Sequence, residues 1–187
     1  SDLLNENIPT ILDKISWKKS MKWGDFDLYW GRPLKSILAI FNGESLNFEY
    51  HHLSSSNYTI VDKEFEDKSK VFKSYKQYLQ YFNKSKIIID QNLRKNFIKS
   101  ELLKISDKKS LSLEINEKLL DEVTNLVNKP NVISCKFDEK FLKIPKEILI
   151  TTMQFHQKYF HTFDKKGNVT NSFLVVANKK DNKGFVK

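Results

Sequence analysis

The chain has 187 residues, 40% hydrophobic and 29% charged, enough for one domain with a proper core or two small ones. Its only cysteine, Cys135, excludes a disulfide framework; no apolar run approaches the roughly 18 residues that cross a bilayer, and no signal segment opens the chain, so a cytoplasmic protein is expected. The net charge of +9 suits RNA contact through counterion release, but Arg32 and Arg94 are the only arginines, and a lysine, asparagine and isoleucine bias also arises from an AT-rich genome, so a solvated lysine coat fits equally well.

Residues 2–15 read as a helix with Leu4, Ile8, Ile11, Leu12 and Ile15 on one face. Next comes Trp17-Lys18-Lys19-Ser20-Met21-Lys22-Trp23-Gly24, in which two indoles bracket three lysines. Such a stretch stacks bases and meets phosphates in an RNA-binding protein. In a structural reading, preferred here for Trp23, the indoles anchor a core and Gly24 turns the chain. Leu34–Phe41 is β-rich, Asn42-Gly43 is a strong hairpin signal, and 45–50 alternates on the return. His51-His52 offers no joint site, since neighbouring strand residues point to opposite faces.

From 70 to 105 the pattern is mostly helical. Phe72, Tyr75, Leu79 and Phe82 form one expected buried stripe; Ile87-Ile88-Ile89 reads as a short strand; Asp90 caps a helix carrying Leu93, Phe97, Leu102 and Ile105. Asn116 caps the next helix, whose stripe is Leu119, Leu120, Val123, Leu126 and Val127. A strand over 132–137 holds Cys135, read as a buried inert thiol. Pro145 then starts a helix with Ile148, Leu149, Thr152 and Phe155 on its apolar side. His156-Gln157-Lys158-Tyr159-Phe160 ends it with polar groups beside aromatics, a turn follows at 164–168, and 172–178 reads as a buried strand.

Several of these phrases, in order, resemble the β subunit of the two-subunit bacterial type of glycyl-tRNA synthetase. They are Lys19 to Gly24, Arg32-Pro33, the Leu119–Pro130 helix, Phe137 to Leu142, the Pro145 helix, the 156–160 box and Phe173 to Asn178. The resemblance covers about the whole chain and is densest over 17–34 and 119–178. Where that family carries an R-G-H-R-F box, this chain has Thr59 to Phe65 and keeps only the phenylalanine.

The resemblance implies a piece of the N-terminal region of that subunit. It implies an α+β fold, a mixed β-sheet with flanking helices, similar to the editing-type domain of the phenylalanyl-tRNA synthetase β subunit. The expected organisation is an N-terminal helix over 1–16, one domain over 17–178, and a tail over 179–187. The implied partners are the α subunit, glycine tRNA and the rest of the β subunit. ATP and magnesium are implied only for the parent enzyme, through its α subunit.

No glycine-rich phosphate loop is legible, so no catalytic residue and no cofactor are assigned to this chain. His156 and His161 are five residues apart, off one helical face, and no carboxylate or cysteine completes a ligand set, so no metal site is assigned. The candidates for tRNA contact or interdomain contact are Lys18, Lys19, Lys22, Trp23, Arg32, His156, Gln157, Lys158 and Tyr159. The favoured function is a non-catalytic one, positioning tRNA and bracing subunits of the ligase. Its rivals are a hydrolytic editing-type domain acting on misacylated tRNA, and a purely structural spacer.

Overall fold

The computed structural model describes residues 1–62 and 68–178. The chain divides into two compact units, Ser1–Tyr81 and Phe82–Lys187. The architecture is mixed α/β, but the one mixed sheet expected from sequence is replaced by several small sheets. The reason is strand length: most strands of the first unit are only two residues long, too short to extend a ladder sideways.

In the first unit, helix α1 (Asp2–Asp13) lays Leu4, Ile8 and Leu12 against a core of Leu28, Leu46, Phe48 and Tyr50. Its stripe is narrower than expected, because Ile11 and Ile15 lie beside it and are exposed. Strands β1 (Met21–Lys22) and β2 (Tyr29–Trp30) pair antiparallel, as Met21 with Trp30 and Lys22 with Tyr29. After β3 (Ile37–Leu38), the expected hairpin forms between β4 (Ile40–Phe41) and β5 (Glu44–Ser45). Asn42 (φ 51°) and Gly43 (φ 85°) both adopt the positive φ that a tight two-residue turn requires.

Strands β6 (Glu49–Tyr50) and β7 (Leu53–Ser56) follow, β7 pairing with β6 antiparallel and with β3 parallel. The buried Ser55 hydroxyl accepts from Phe48 N–H (2.9 Å) and donates to the Leu46 carbonyl (2.7 Å), so neither side of this close approach is left unsatisfied. β8 (Tyr58–Asp62) pairs with β9 (Lys68–Val71). The Thr59–Phe65 stretch thus begins in β8, while Lys63, Glu64 and Phe65, like residues 179–187, lie outside the described residues. Helix α2 (Tyr75–Lys84) spans the boundary between units. Phe72, placed on this helix by its spacing, instead precedes it and is buried edge-on against Tyr78 and Tyr81, while Tyr75 is exposed.

The second unit opens on an irregular segment where the β-branched run predicts a strand. Ile87–Ile89 is no strand: Ile88 N–H reaches the Asn128 carbonyl (2.9 Å), and the Arg94 guanidinium donates to the carbonyls of Ile88 (2.5 Å), Ile89 (3.0 Å) and Thr124 (2.9 Å). A side chain therefore takes the carbonyls that a neighbouring strand would have used. Helix α3 (Gln91–Lys108) is capped by Asp90, which accepts from Leu93 N–H (2.8 Å). Helix α4 (Glu117–Leu126) is capped by Asn116, which accepts from Leu119 N–H (3.2 Å).

Beyond these helices come β10 (Asn131–Lys136), a 3₁₀ turn Glu139–Lys143, α5 (Lys146–Thr151), β11 (Phe160–Phe163) and β12 (Val169–Ala177). The three strands form an antiparallel sheet in the order β10-β12-β11. Ile98, Leu102, Leu119, Leu120, Val123, Val127, Phe160, Leu174 and Val176 make the core between helices and sheet. Leu93, Phe97 and Leu126, expected inside, are exposed; Ile98 and Thr124 take those inward positions. Cys135 is half-buried opposite Phe173. Among the described residues no helix is long and apolar enough to cross a membrane.

Candidate nucleic-acid interface

The β1–β2 ribbon arranges the first group of candidates by strand register. Directly paired residues share a face. Met21 and Trp30 share one, and Trp30 packs on the core with Trp17 leaning on it at 4.9 Å. Gly31 permits this: a Cβ there would come within 2.7 Å of the Trp17 ring.

Lys22 and Tyr29 share the other, outward face. There Lys22 Nζ donates to Asp27 Oδ1 at 2.8 Å. That hydrogen bond, and then the opposite charge, hold the ammonium above its ordinary range and the carboxyl below. Trp23 is 56% exposed, which corrects the preference for it as a core anchor. The turn after it forms as expected, with Gly24 at φ 59° and Phe26 N–H reaching the Trp23 carbonyl at 3.4 Å.

Three neighbours complete this surface: Phe26 and Tyr29, which no sequence motif marks, and His52, which the sequence sets aside with His51. Phe26 lies flat on His52, ring centroids 3.7 Å apart, and Tyr29 is 62% exposed. Tyr29 is set opposite Lys22 by a strand register that residue spacing does not reveal, and for the Phe26–His52 stack no local signal exists. His51 departs from its neighbour, its Nε2 lying 3.7 Å from Asp13. Lys18, Lys19 and Arg32 are exposed and have no partner among the described residues.

The 156–160 box lies in the second unit. The end of α5 widens into a π-helical turn over Thr152–His156, closed by Gln157 N–H donating to the Thr152 carbonyl at 3.1 Å. Lys158 then adopts φ 58°, turning the chain so that Tyr159 N–H reaches the Met153 carbonyl at 2.8 Å. Lys158 Nζ sits 2.9 Å from Glu122 on α4. Tyr159 stacks on Phe173 at 4.6 Å, and Phe160 enters the core. His156 and Gln157 are exposed.

Behind this corner runs a polar relay. Asn116 Nδ2 donates to Gln154 Oε1 (3.2 Å), whose Nε2 is 3.2 Å from Nδ1 of the buried His161. Burial pushes the His161 pKa down, with Glu114 pulling weakly the other way.

The α5 face differs from expectation. Met153 is the buried residue, while Ile148 and Phe155 are exposed. With Phe137, Phe141, Ile144, Leu149 and Thr152, Ile148 lines an apolar cleft of about 220 Å³. A second cleft of about 280 Å³ in the first unit is lined by Leu38, Ile40, Phe72, Ser74, Tyr75 and Tyr78.

The family model described as glycyl-tRNA synthetase beta subunit matches residues 1–186. Proteins named glycine--tRNA ligase beta subunit from Rickettsia canadensis (strain McKiel) and Dictyoglomus turgidum are 37% and 36% identical to it, over 95% and 97% of this chain. The chain spans 26% of the length of each. It therefore belongs to the glycyl-tRNA synthetase beta subunit family.

Proposed function

We propose that this chain is a non-catalytic part of a cytoplasmic glycine–tRNA ligase, helping to place glycine tRNA and to brace the β subunit against the α subunit and the rest of its own chain. The observation that carries the reading is the cationic group of Lys18, Lys19 and Arg32, without a partner among the described residues and held beside exposed aromatics on a ribbon anchored to the first core. Lys22 and Lys158 already face Asp27 and Glu122, so the free group carries the phosphate contact. The exposed apolar face around Phe141, Ile148 and Phe155 supports the bracing role.

Both described clefts are lined by apolar and hydroxyl-bearing side chains, without the cationic groups that a triphosphate needs. The reading accordingly gives ATP and magnesium to the α subunit. It also keeps the likeness to the editing-type domain of the phenylalanyl-tRNA synthetase β subunit as a likeness of fold, to be tested by superposition on an experimental structure.

Titrating the chain with glycine tRNA at two salt concentrations tests the proposal. Affinity should fall as salt rises, and Lys18→Ala with Lys19→Ala should weaken it. Absent binding, or binding indifferent to salt, overturns the RNA role. Release of the amino acid from misacylated tRNA by this chain would replace the proposal with the hydrolytic one.

A further inference from the structure

We infer that the β1–β2 ribbon is a stacking platform for unpaired RNA, with Trp23 and Tyr29 receiving bases while Lys18, Lys19 and Arg32 meet phosphates. This rests on the RNA reading above and deepens it by naming the kind of RNA. The antiparallel pairing of Met21 with Trp30 sets the geometry. It brings the chain entering β1, with Lys18 and Lys19, to the same end of the ribbon as Arg32, just past β2. The Trp23–Phe26 turn occupies the other end. Lys19 and Trp23 are four residues apart, about 13 Å of extended chain, so a short strand laid along the ribbon spans a cationic end and an aromatic end.

Fixed supports hold the rings in place. Lys22, beside Tyr29 on the outward face, is tied to Asp27, and Phe26 in the turn is covered by His52. Trp17 leans on Trp30, and Trp30 is committed to the core and to the edge of Tyr50. Trp23 and Tyr29 have no ring partner of that kind among the described residues and are 56% and 62% exposed. A duplex would offer phosphates to this surface but keep its base faces stacked inside. Only unstacked bases let these rings bury their faces, and they do so with little preference for sequence. The charge fits as well: Asp25 and Asp27 are the acidic residues of 17–32, both lie toward the turn end of the ribbon, and Asp27 is paired with Lys22.

The test uses this chain with a single-stranded uridine oligomer and an RNA duplex of equal length, read by tryptophan fluorescence and by competition against glycine tRNA. The oligomer should bind about tenfold more tightly than the duplex, and Trp23→Ala or Tyr29→Ala should each cost about tenfold without changing the salt slope. Lys18→Ala with Lys19→Ala should lower that slope by about two. Both rings are exposed, and a thermal melt of each variant verifies that it is folded. Equal competition by the duplex, or silent Trp23 and Tyr29 variants, overturns the stacking inference while salt-dependent tRNA binding leaves the RNA role standing. Binding to neither RNA, with capture of the α subunit through the same ribbon, overturns both.

Discussion

His161 shows how one buried ring makes the fold sensitive to acid. Its imidazole is 3% exposed and its Nδ1 faces the Gln154 amide, which is engaged at its other end by Asn116. A proton on Nδ1 would confront an N–H donor, and turning the amide would break the bond from Asn116. The neutral form is therefore the one the fold accommodates, in line with a pKa held below the ordinary 6.5. The unfolded chain binds the proton more readily, so stability is full above pH 6.5 and falls as pH drops below it toward the folded-state value. Urea midpoints measured between pH 7.5 and 5.5 should decline, and His161→Gln should flatten part of that decline. Identical profiles for the two proteins would show that the ring carries none of it.

Element ends were easy to read in the sequence and element faces were not, for a physical reason. A cap or a tight turn is settled within four or five residues: Asp90 and Asn116 reach their own helix N–H groups, and Asp164 Oδ1 accepts from Lys166 and Asn168 within a single turn. Which side of a helix goes inward depends on what lies across from it. Periodicity alone could not choose Ile98 over Phe97 on α3, or Met153 over Phe155 after α5. The candidate site divides in the same way: the ribbon's turn and its lysines were legible, whereas the stack of Phe26 on His52 joins residues far apart in the chain. The caps also differ in reach. Asn116→Ala removes both the α4 cap and the bond to Gln154, and should cost about 1–2 kcal/mol, toward the upper end of the range for caps; Asp90→Ala should cost about 1 kcal/mol. Urea unfolding of the two variants checks the order.

For the whole molecule, net charge overstates what RNA can use. Of the +9, much is a dispersed lysine surface, and several lysines are tied up: Lys95 to Glu117 and Asp121, Lys99 to Glu117, Lys158 to Glu122. Arg94 spends its donors on backbone carbonyls. If Lys18, Lys19 and Arg32 make the phosphate contacts, the slope of log affinity against log salt should be about −2 to −3. A slope of about −6 or steeper would mean that the lysine coat as a whole attracts the RNA.

The widened turn after α5 acts as a shim. Each residue added to or taken from a helix rotates everything after it by about 100°. Shortening 152–157 by one would swing the lysine away from Glu122 and the tyrosine off Phe173 together. The length of this corner is thus as much a part of its specification as its lettering, and a chain that kept every side chain of the box but lost one position ahead of it would no longer close the seam between α4 and the sheet.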